Sequence, residues 1–312
     1  MRLLITGASG LLGVNLSLVA ARQGHAVTGL AHSRMLHGVP FEVQVVDLLD
    51  PEQSKVVIEK AQPDALIHCA AVADVNTAEM KPDLAQKLNA EVPGLLAAEA
   101  ARQNIPFMHI STDAVFNGRR GDYKEDDPPD PLSVYARTKL AGEKAVQAVN
   151  SAALVIRTVF YGWSLSGRRS LAEFFVNRLK AGEHLQGFAD TYFCPLYVED
   201  LAELLLGMFS KRLSGTFHLV SSEGISKYDF GVRIACRFGY DPALITPVNA
   251  RELDRGARRS LNLTLNSDKA ANALGHPLPT IDDGLERFYQ RWQEGYPERL
   301  QGCSQSISSD EI

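Results

Sequence analysis

Cysteine is scarce: Cys69, Cys194, Cys236 and Cys303 are the four in 312 residues, and no two form a CxxC pair. A disulfide framework needs dense cysteine in a small chain, and a zinc site needs clustered ligands. Neither pattern is here, so the thiols suit a reducing compartment. His25, His32, His37 and His68 show no ligand spacing either, so no residue is singled out as a metal ligand. An excess of cationic charge is also missing. Lys and Arg number 32 against 37 Asp and Glu, a net charge of −5, which offers no electrostatic footprint for nucleic acid or an anionic membrane. No apolar run approaches the roughly 20 residues that span a bilayer. The first ten residues, MRLLITGASG, reach glycine before a signal-peptide hydrophobic segment can form. These absences lead to the expectation of a cytoplasmic protein whose partner is a small molecule, with no nucleic acid and no membrane.

What the chain does have is alternation. Short apolar runs at Arg2–Thr6, Ala26–Ala31, Phe41–Val46, Ala65–His68, Phe107–Ile110 and Ala153–Ile156 read as buried strands. Leu12, Leu16, Val19 and Ala20 recur at helical spacing, with Gly24 placed to stop that helix. Leu84, Leu88, Val92, Leu95 and Leu96 share one face of a further helical segment. Strands alternating with helices need crossover connections, which give a parallel sheet with helices on both faces. Beyond about residue 160 the pattern loosens. Helices are expected near Leu171–Leu179, Glu199–Phe209, Tyr228–Arg237 and Ile281–Trp292, and a strand at Thr216–Val220. The segment EDDPPDP, Glu125–Pro131, is a loop, because its prolines forbid a helix interior or a central strand. The predicted fold class is α/β: a Rossmann-type doubly wound parallel sheet with a smaller C-terminal substrate lobe. Residues 1–160 would form the dinucleotide-binding domain, with 187–220 returning to it. Residues 161–186 and 221–300 would form the lobe, and 301–312 a frayed tail.

Gly7, Gly10 and Gly13 form GASGLLG across the end of the first strand and the start of the first helix. A dinucleotide pyrophosphate needs backbone N–H groups at a helix N-terminus with no side chain in the way. A glycine turn can serve packing alone; its place between a strand and an amphipathic helix is what favours nucleotide binding. The segment after the second strand sets the cofactor preference. An acidic residue about 20 positions on would hold the ribose 2′-hydroxyl of NAD, whereas the chain has Ala31, His32, Ser33 and Arg34 there. A 2′-phosphate would find a guanidinium, an imidazole and a hydroxyl and meet no carboxylate, so NADP(H) is expected over NAD(H). Asp47, closing the third strand, either accepts from the adenine amino group or caps the helix beginning near Pro51.

Tyr135 and Lys139 lie in SVYARTKLAGEKAV, a helical stretch after the proline loop. Residues i and i+4 share a helix face, so phenol and ammonium can address one ligand. A nearby cation lowers a phenol's pKa, which would let Tyr135 exchange a proton near neutrality. Reduction of a carbonyl by hydride needs that proton. With nine tyrosines and eleven lysines, chance alone supplies about 0.3 such spacings, so the pair gains weight only from its context. That context is the glycine turn upstream and Thr112 at the end of a predicted strand. Ligands of open α/β sheets sit outside the carboxyl ends of strands, so the Thr112 hydroxyl should reach the same crevice and donate to a carbonyl oxygen.

Together these residues resemble the extended short-chain dehydrogenase/reductase superfamily, and within it the dTDP-4-dehydrorhamnose reductase-like group. The spacing G-x-x-G-x-x-G is the extended form. CAAVADVNTAE (Cys69–Glu79) is similar to the group's AAxTxVDxAE, HISTDAVFNG (His109–Gly118) to STDYVFDG, and YARTKLAGE (Tyr135–Glu143) to YGxSKxxGE. RTVFYG (Arg157–Gly162) and CPLYVEDLA (Cys194–Ala202) also fit. The resemblance implies that Thr112, Tyr135 and Lys139 are the catalytic set. It implies that Gly10, Leu11, Leu12, Asp47, Leu48, Ala70, Ala71 and Val72 line the cofactor, that Lys139 also holds the nicotinamide ribose, and that Asp113 sits beside the substrate. Two positions depart from the group: its Tyr after STD is Ala114 here, and a substrate-side Trp is Phe160. Arg168, Arg169 and Arg178 are placed either to meet a nucleotide diphosphate or as solvated charges. The expected activity is NADP-dependent reduction of a carbonyl, foremost the 4-keto group of a nucleotide sugar. The first alternative is an epimerase or dehydratase on the same fold, but dehydratases carry Asp–Glu after the threonine where this chain has Asp113–Ala114. The second is a non-catalytic nucleotide-binding subunit resembling the regulatory subunit of methionine adenosyltransferase. A homodimer is compatible with the sequence.

Overall fold

The computed structural model describes residues 1–252 and 260–304. Six strands of the amino-terminal half, β1 (Arg2–Thr6), β2 (Ala26–Ala31), β3 (Glu42–Val45), β4 (Ala65–His68), β5 (Phe107–Thr112) and β6 (Leu154–Thr158), join the strand Gly215–His218 in one sheet. All pairings are parallel, and the spatial order is Gly215–His218, β6, β5, β4, β1, β2, β3. Every residue of β4, β5 and β6 is buried, as helices on both faces require of central parallel strands. The order reverses between β1 and β4, and that reversal opens a crevice at the carboxyl ends of the strands.

β5 and β6 each run two residues beyond the apolar stretch that predicts them. Ser111 and Arg157 extend the ladder because both find one buried partner, Glu143, at 2.5 and 2.8 Å. Polar side chains satisfied in this way continue a central strand without an apolar signature. The helices are α1 (Leu11–Arg22), α2 (Pro51–Ala61), α3 (Val75–Met80), α4 (Pro82–Gln86), α5 (Val92–Arg102) and α6 (Val134–Val149). A π-helical turn, Lys87–Glu91, separates α4 from α5. Pro93 explains it: the proline lacks an N–H and its ring excludes the carbonyl four residues back, that of Asn89. The wider turn shifts the stripe, so Leu84 and Leu88 reach the crevice, Val92 and Leu96 stay in the core, and Leu95 is 52% exposed. The expected single face over Leu84–Leu96 is corrected accordingly.

In the second half the strand Leu185–Phe188 lies parallel to Ile245–Val248, and Tyr192–Phe193 antiparallel to Ile225–Ser226. The helices Leu171–Lys180 and Lys227–Phe238 pack on each other there, so closely that a Cβ on Gly231 would touch the Phe175 ring at 2.5 Å. The chain boundary expected at 187 therefore falls inside a strand of the smaller lobe. Val198–Ser210 packs on α1. The helices Ile281–Gln293 and Tyr296–Gly302 lean back onto α1 and the helix Val198–Ser210, where the sequence reading assigned 281–300 wholly to the lobe. Arg287 pairs with Asp200 at 2.6 Å, Arg291 with Glu199 at 2.8 Å, and Tyr296 donates to Asn15 at 2.9 Å. Phe288, stacked on Trp163 with ring centroids 4.1 Å apart, supplies the apolar reason. Gln301 and Gly302 complete the last helix and the Cys303 carbonyl accepts the His37 N–H; the rest of the expected tail, 305–312, lies outside the described residues.

Candidate active site

The crevice holds a cleft of about 760 Å³ walled by the glycine turn, strand ends and the segment after β6. Gly7 turns the chain at φ +69°, and a Cβ there would lie 2.8 Å from the Ala70 nitrogen. On Gly13 a Cβ would lie 2.1 Å from the Gly7 carbonyl oxygen, so α1 can start this close to β1 only with glycine. Gly10, at the N-cap, offers no side chain to α1, and the first turn holds no acidic residue. The first-turn N–H groups and the positive end of the helix dipole are therefore left to the cleft, along the wall formed by Gly10, Leu11, Leu12 and Gly13. That is a cradle suited to a pyrophosphate.

His32, Asp47 and Leu48 line the same cleft beneath Ala31, with His32 Nδ1 3.9 Å from Asp47 Oδ1. Asp47 does not cap α2. Its Oδ1 accepts the Leu49 N–H at 3.0 Å, and Asp50, directly before Pro51, caps the helix by accepting from Glu52 and Gln53. Ser33 and Arg34 are exposed and stand outside the cleft wall. Ala70 and Ala71 line it, whereas Val72 is turned to Asn89, whose side-chain amide takes its N–H and C=O at 2.8 and 3.2 Å.

Thr112, Asp113, Tyr135 and Phe160 gather at the other end of the cleft. Thr112 Oγ1 accepts from the Ala114 N–H at 3.2 Å and donates to Asp113 Oδ1 at 3.0 Å, and Tyr135 lines the cleft with it. The Thr112 proton, expected to serve a ligand carbonyl, is thus held by Asp113 in this geometry. Burial pushes the Tyr135 phenol up to about 12; the nearby Thr112 hydroxyl opposes that rise and the Asp113 carboxylate adds to it. The expected lowering of the phenol by Lys139 is not seen. Lys139 is buried one helical turn on, and its ammonium donates to the Ile110 carbonyl at 2.6 Å and meets His109 Nε2 at 3.3 Å, so it is committed to β5. Burial brings Lys139 down to about 8, against the Glu143 carboxylate and the Cys69 thiol, which favour its charge. Tyr135 is consequently a neutral phenol at pH 7, the state a proton donor needs. Burial lifts Asp113 to about 6, with the Thr112 hydrogen bond and Lys227 working the other way.

α6 is fixed from three sides. Ser133 caps it at the Ala136 N–H, 3.1 Å. Glu143 binds Ser111 and Arg157 in the core, and Asn89 donates to Thr138 at 3.0 Å. Arg168 and Arg169 line the cleft on a loop whose backbone N–H groups bond to Ser164 and the buried Glu173. Arg178 is instead paired with Glu183 on the outer surface. Sequence reasoning missed the rest of the wall: apolar Leu30, Val46, Cys69, Ile110 and Val159, and the buried hydroxyl-bearing Thr158. Each stands at or just past the carboxyl end of a predicted strand, which was the available signal. Among the described residues no three His, Cys, Asp or Glu gather as a metal-ligand set, and no helix is long and apolar enough to cross a membrane.

Comparison with known proteins places this geometry. Residues 1–294 match the family described as RmlD substrate binding domain. The chain is 36% identical over 285 residues to a probable low-salt glycan biosynthesis reductase, Agl14, of Haloferax volcanii, covering 90% of this chain and 95% of that one. It is 35% identical to dTDP-4-dehydrorhamnose reductase of Mycobacterium tuberculosis, covering 89% and 88%. To methionine adenosyltransferase 2 subunit beta of Rattus norvegicus it is 32% identical, covering 94% and 90%. Among solved structures, dTDP-4-dehydrorhamnose reductase from Bacillus anthracis in complex with NADP superimposes with a TM-score of 0.83 at 26% identity, covering 93% and 99%. The chain belongs to the RmlD family of extended short-chain dehydrogenase/reductases.

Proposed function

We propose that this chain is a reductase that uses a nicotinamide dinucleotide, NADPH in preference to NADH, to reduce the 4-keto group of a nucleotide sugar. The observation that carries the reading is the meeting of Thr112 and Tyr135 in the cleft that begins at the glycine turn. The reductases of Haloferax volcanii and Mycobacterium tuberculosis support it by likeness. The cradle of Gly7, Gly10 and Gly13 fits the cofactor's pyrophosphate, and His32, Asp47 and Leu48 would take its adenosine end. Absence of an acid at Ala31–Arg34 favours the 2′-phosphate.

A bound reduced nicotinamide supplies the hydride. The protein's residues supply the rest. Thr112 orients the carbonyl oxygen once its proton turns from Asp113, and Tyr135 delivers the phenolic proton to that oxygen as negative charge develops on it. Lys139, buried beside the strand, lends positive charge to that end of the cleft. Phe160 shapes the sugar's wall and Ala114 leaves room beside it. Arg168 and Arg169 would meet the substrate's diphosphate. The pair Asp113–Ala114, without an Asp–Glu, speaks against dehydration.

The test is oxidation of NADPH in the presence of a 4-keto-6-deoxy nucleotide sugar, alongside fluorescence titration with NADPH and NADH. Tyr135→Phe should lower kcat by about 10²–10⁴-fold with NADPH affinity kept. Full turnover in that variant overturns the mechanism, and equal or tighter NADH binding overturns the cofactor preference. The likeness to the adenosyltransferase subunit favours one second reading, a non-catalytic partner subunit. Recovery of one stoichiometric enzyme partner, without NADPH consumption, would establish it instead.

A further inference from the structure

A row of polar side chains crosses the core face of the sheet beneath Lys139. Thr6, His68 and His109 are register partners on β1, β4 and β5, and all three are fully buried. The two imidazoles stack with centroids 5.5 Å apart. Thr6 Oγ1 accepts the N–H groups of Cys69 and Ala70, both at 3.2 Å, so its own proton goes to His68 Nδ1 at 2.8 Å. Lys139 can only donate, so His109 Nε2 is the acceptor in the 3.3 Å contact. His68 Nε2 and His109 Nδ1 then each carry a proton without a partner among the described residues. Leucine or valine at either position would avoid that penalty. Packing does not account for His109, whereas the bond to Lys139 does.

Two of the three ammonium protons of Lys139 go to Ile110 and His109, and the third has no acceptor among the described residues. The groups that face Lys139 are Glu143 on its own helix, Cys69 at the end of β4, and the imidazoles of His68 and His109. Tyr135 lies one turn earlier on α6. Burial, then the lysine cation, holds both imidazoles neutral, His68 down to about 3, so the acceptor is present at any working pH. We propose that His109 is a positioning residue that fixes the Lys139 ammonium, leaves its third proton for a ligand, and supports the lysine's charged form. What that lysine does for turnover rests on the reductase reading; the contact itself does not.

Lysine labelled with ¹³C at Cε reports the titration of Lys139 in the full chain, its signal assigned by loss in Lys139→Arg. His109→Leu, with similar volume and no acceptor, should lower the Lys139 midpoint by about half a pH unit or more, and His109→Gln, which keeps an acceptor, should restore most of it. The alkaline limb of kcat/KM should move down in pH with that midpoint. Should His109→Leu fail to fold, His109→Met removes the acceptor with a more adaptable side chain. An unchanged midpoint in either folded variant overturns the proposal, even if turnover falls. A lowered midpoint in a protein without reductase activity upholds the proposal and removes the reductase reading.

Discussion

Asp113 makes the reacting end of the cleft sensitive to pH. Burial lifts its carboxyl from 3.8 to about 6, so between those values the folded protein keeps a proton that the unfolded chain has released. The stability linked to this group is whole below the unfolded value and falls as pH rises through the folded one, by up to roughly 3 kcal/mol. Asp113→Asn should therefore raise Tm by a few degrees at pH 8 and leave it nearly unchanged at pH 4, as calorimetry would read. An equal effect at both pH values would mean that the Thr112 hydrogen bond, and not ionisation, governs the position. At this scale the sequence reveals residues whose partners lie nearby in the chain. Tyr135 and Lys139 show themselves by one helical turn, and Thr112 by ending an apolar run. His109 and Asn89 do not, because their roles come from register with β4 and contact with α6, set 30 or more residues away. The pKa of Tyr135 departs from expectation for a related reason: spacing gives the distance from Lys139 along a helix but not the Ile110 carbonyl that already holds its ammonium.

Between elements, the π turn and α6 form one joint. Pro93 frees the Asn89 carbonyl, and Gly142 lets α6 press against it: a Cβ there would stand 2.1 Å from that oxygen. The same turn aims the Asn89 amide at Val72 and Thr138, so a single residue ties the loop after β4 to the helix that carries Tyr135 and Lys139. Gly142→Ala should force α6 outward, lowering stability by about 1–3 kcal/mol. It should also lower kcat by an order of magnitude or more through misplacement of Tyr135. Thermal unfolding and NADPH-dependent turnover, measured together, check this. A destabilised variant with unchanged kcat would show that α6 is located by Glu143 and Ser133 alone. Six strands and the first helix were legible as apolar runs and spacing. The π turn was not, since Leu84 to Leu96 read as one helical stripe whose break depends on a proline ring meeting a carbonyl.

For the whole molecule, the question is what closes a chain whose last helices return to its first. Glu199, at the start of Val198–Ser210, is 7% exposed and receives Arg22 of α1 at 2.7 Å and Arg291 of the helix Ile281–Gln293 at 2.8 Å. One carboxylate thus joins segments from both ends of the sequence. That connection was invisible to a reading that divided the chain at 221, because charge pairing between residues 177 and 92 positions apart leaves no local pattern. Apolar burial of Phe288 against Trp163 provides the driving force, and the buried carboxylate provides the angle, since two guanidinium groups approach it from different helices. Removing the acid leaves two partly solvated cations facing each other, so the loss lies below that of a fully buried broken pair. Glu199→Ala should lower stability by about 2 kcal/mol and Tm by roughly 4–8 °C, with a weaker salt dependence than a surface pair because the carboxylate itself is buried. The residue lies outside the cleft wall, so kcat at a temperature well below Tm should stay near that of the parent protein. A fall in kcat without a fall in Tm would instead make this junction part of the machinery that sets the cleft.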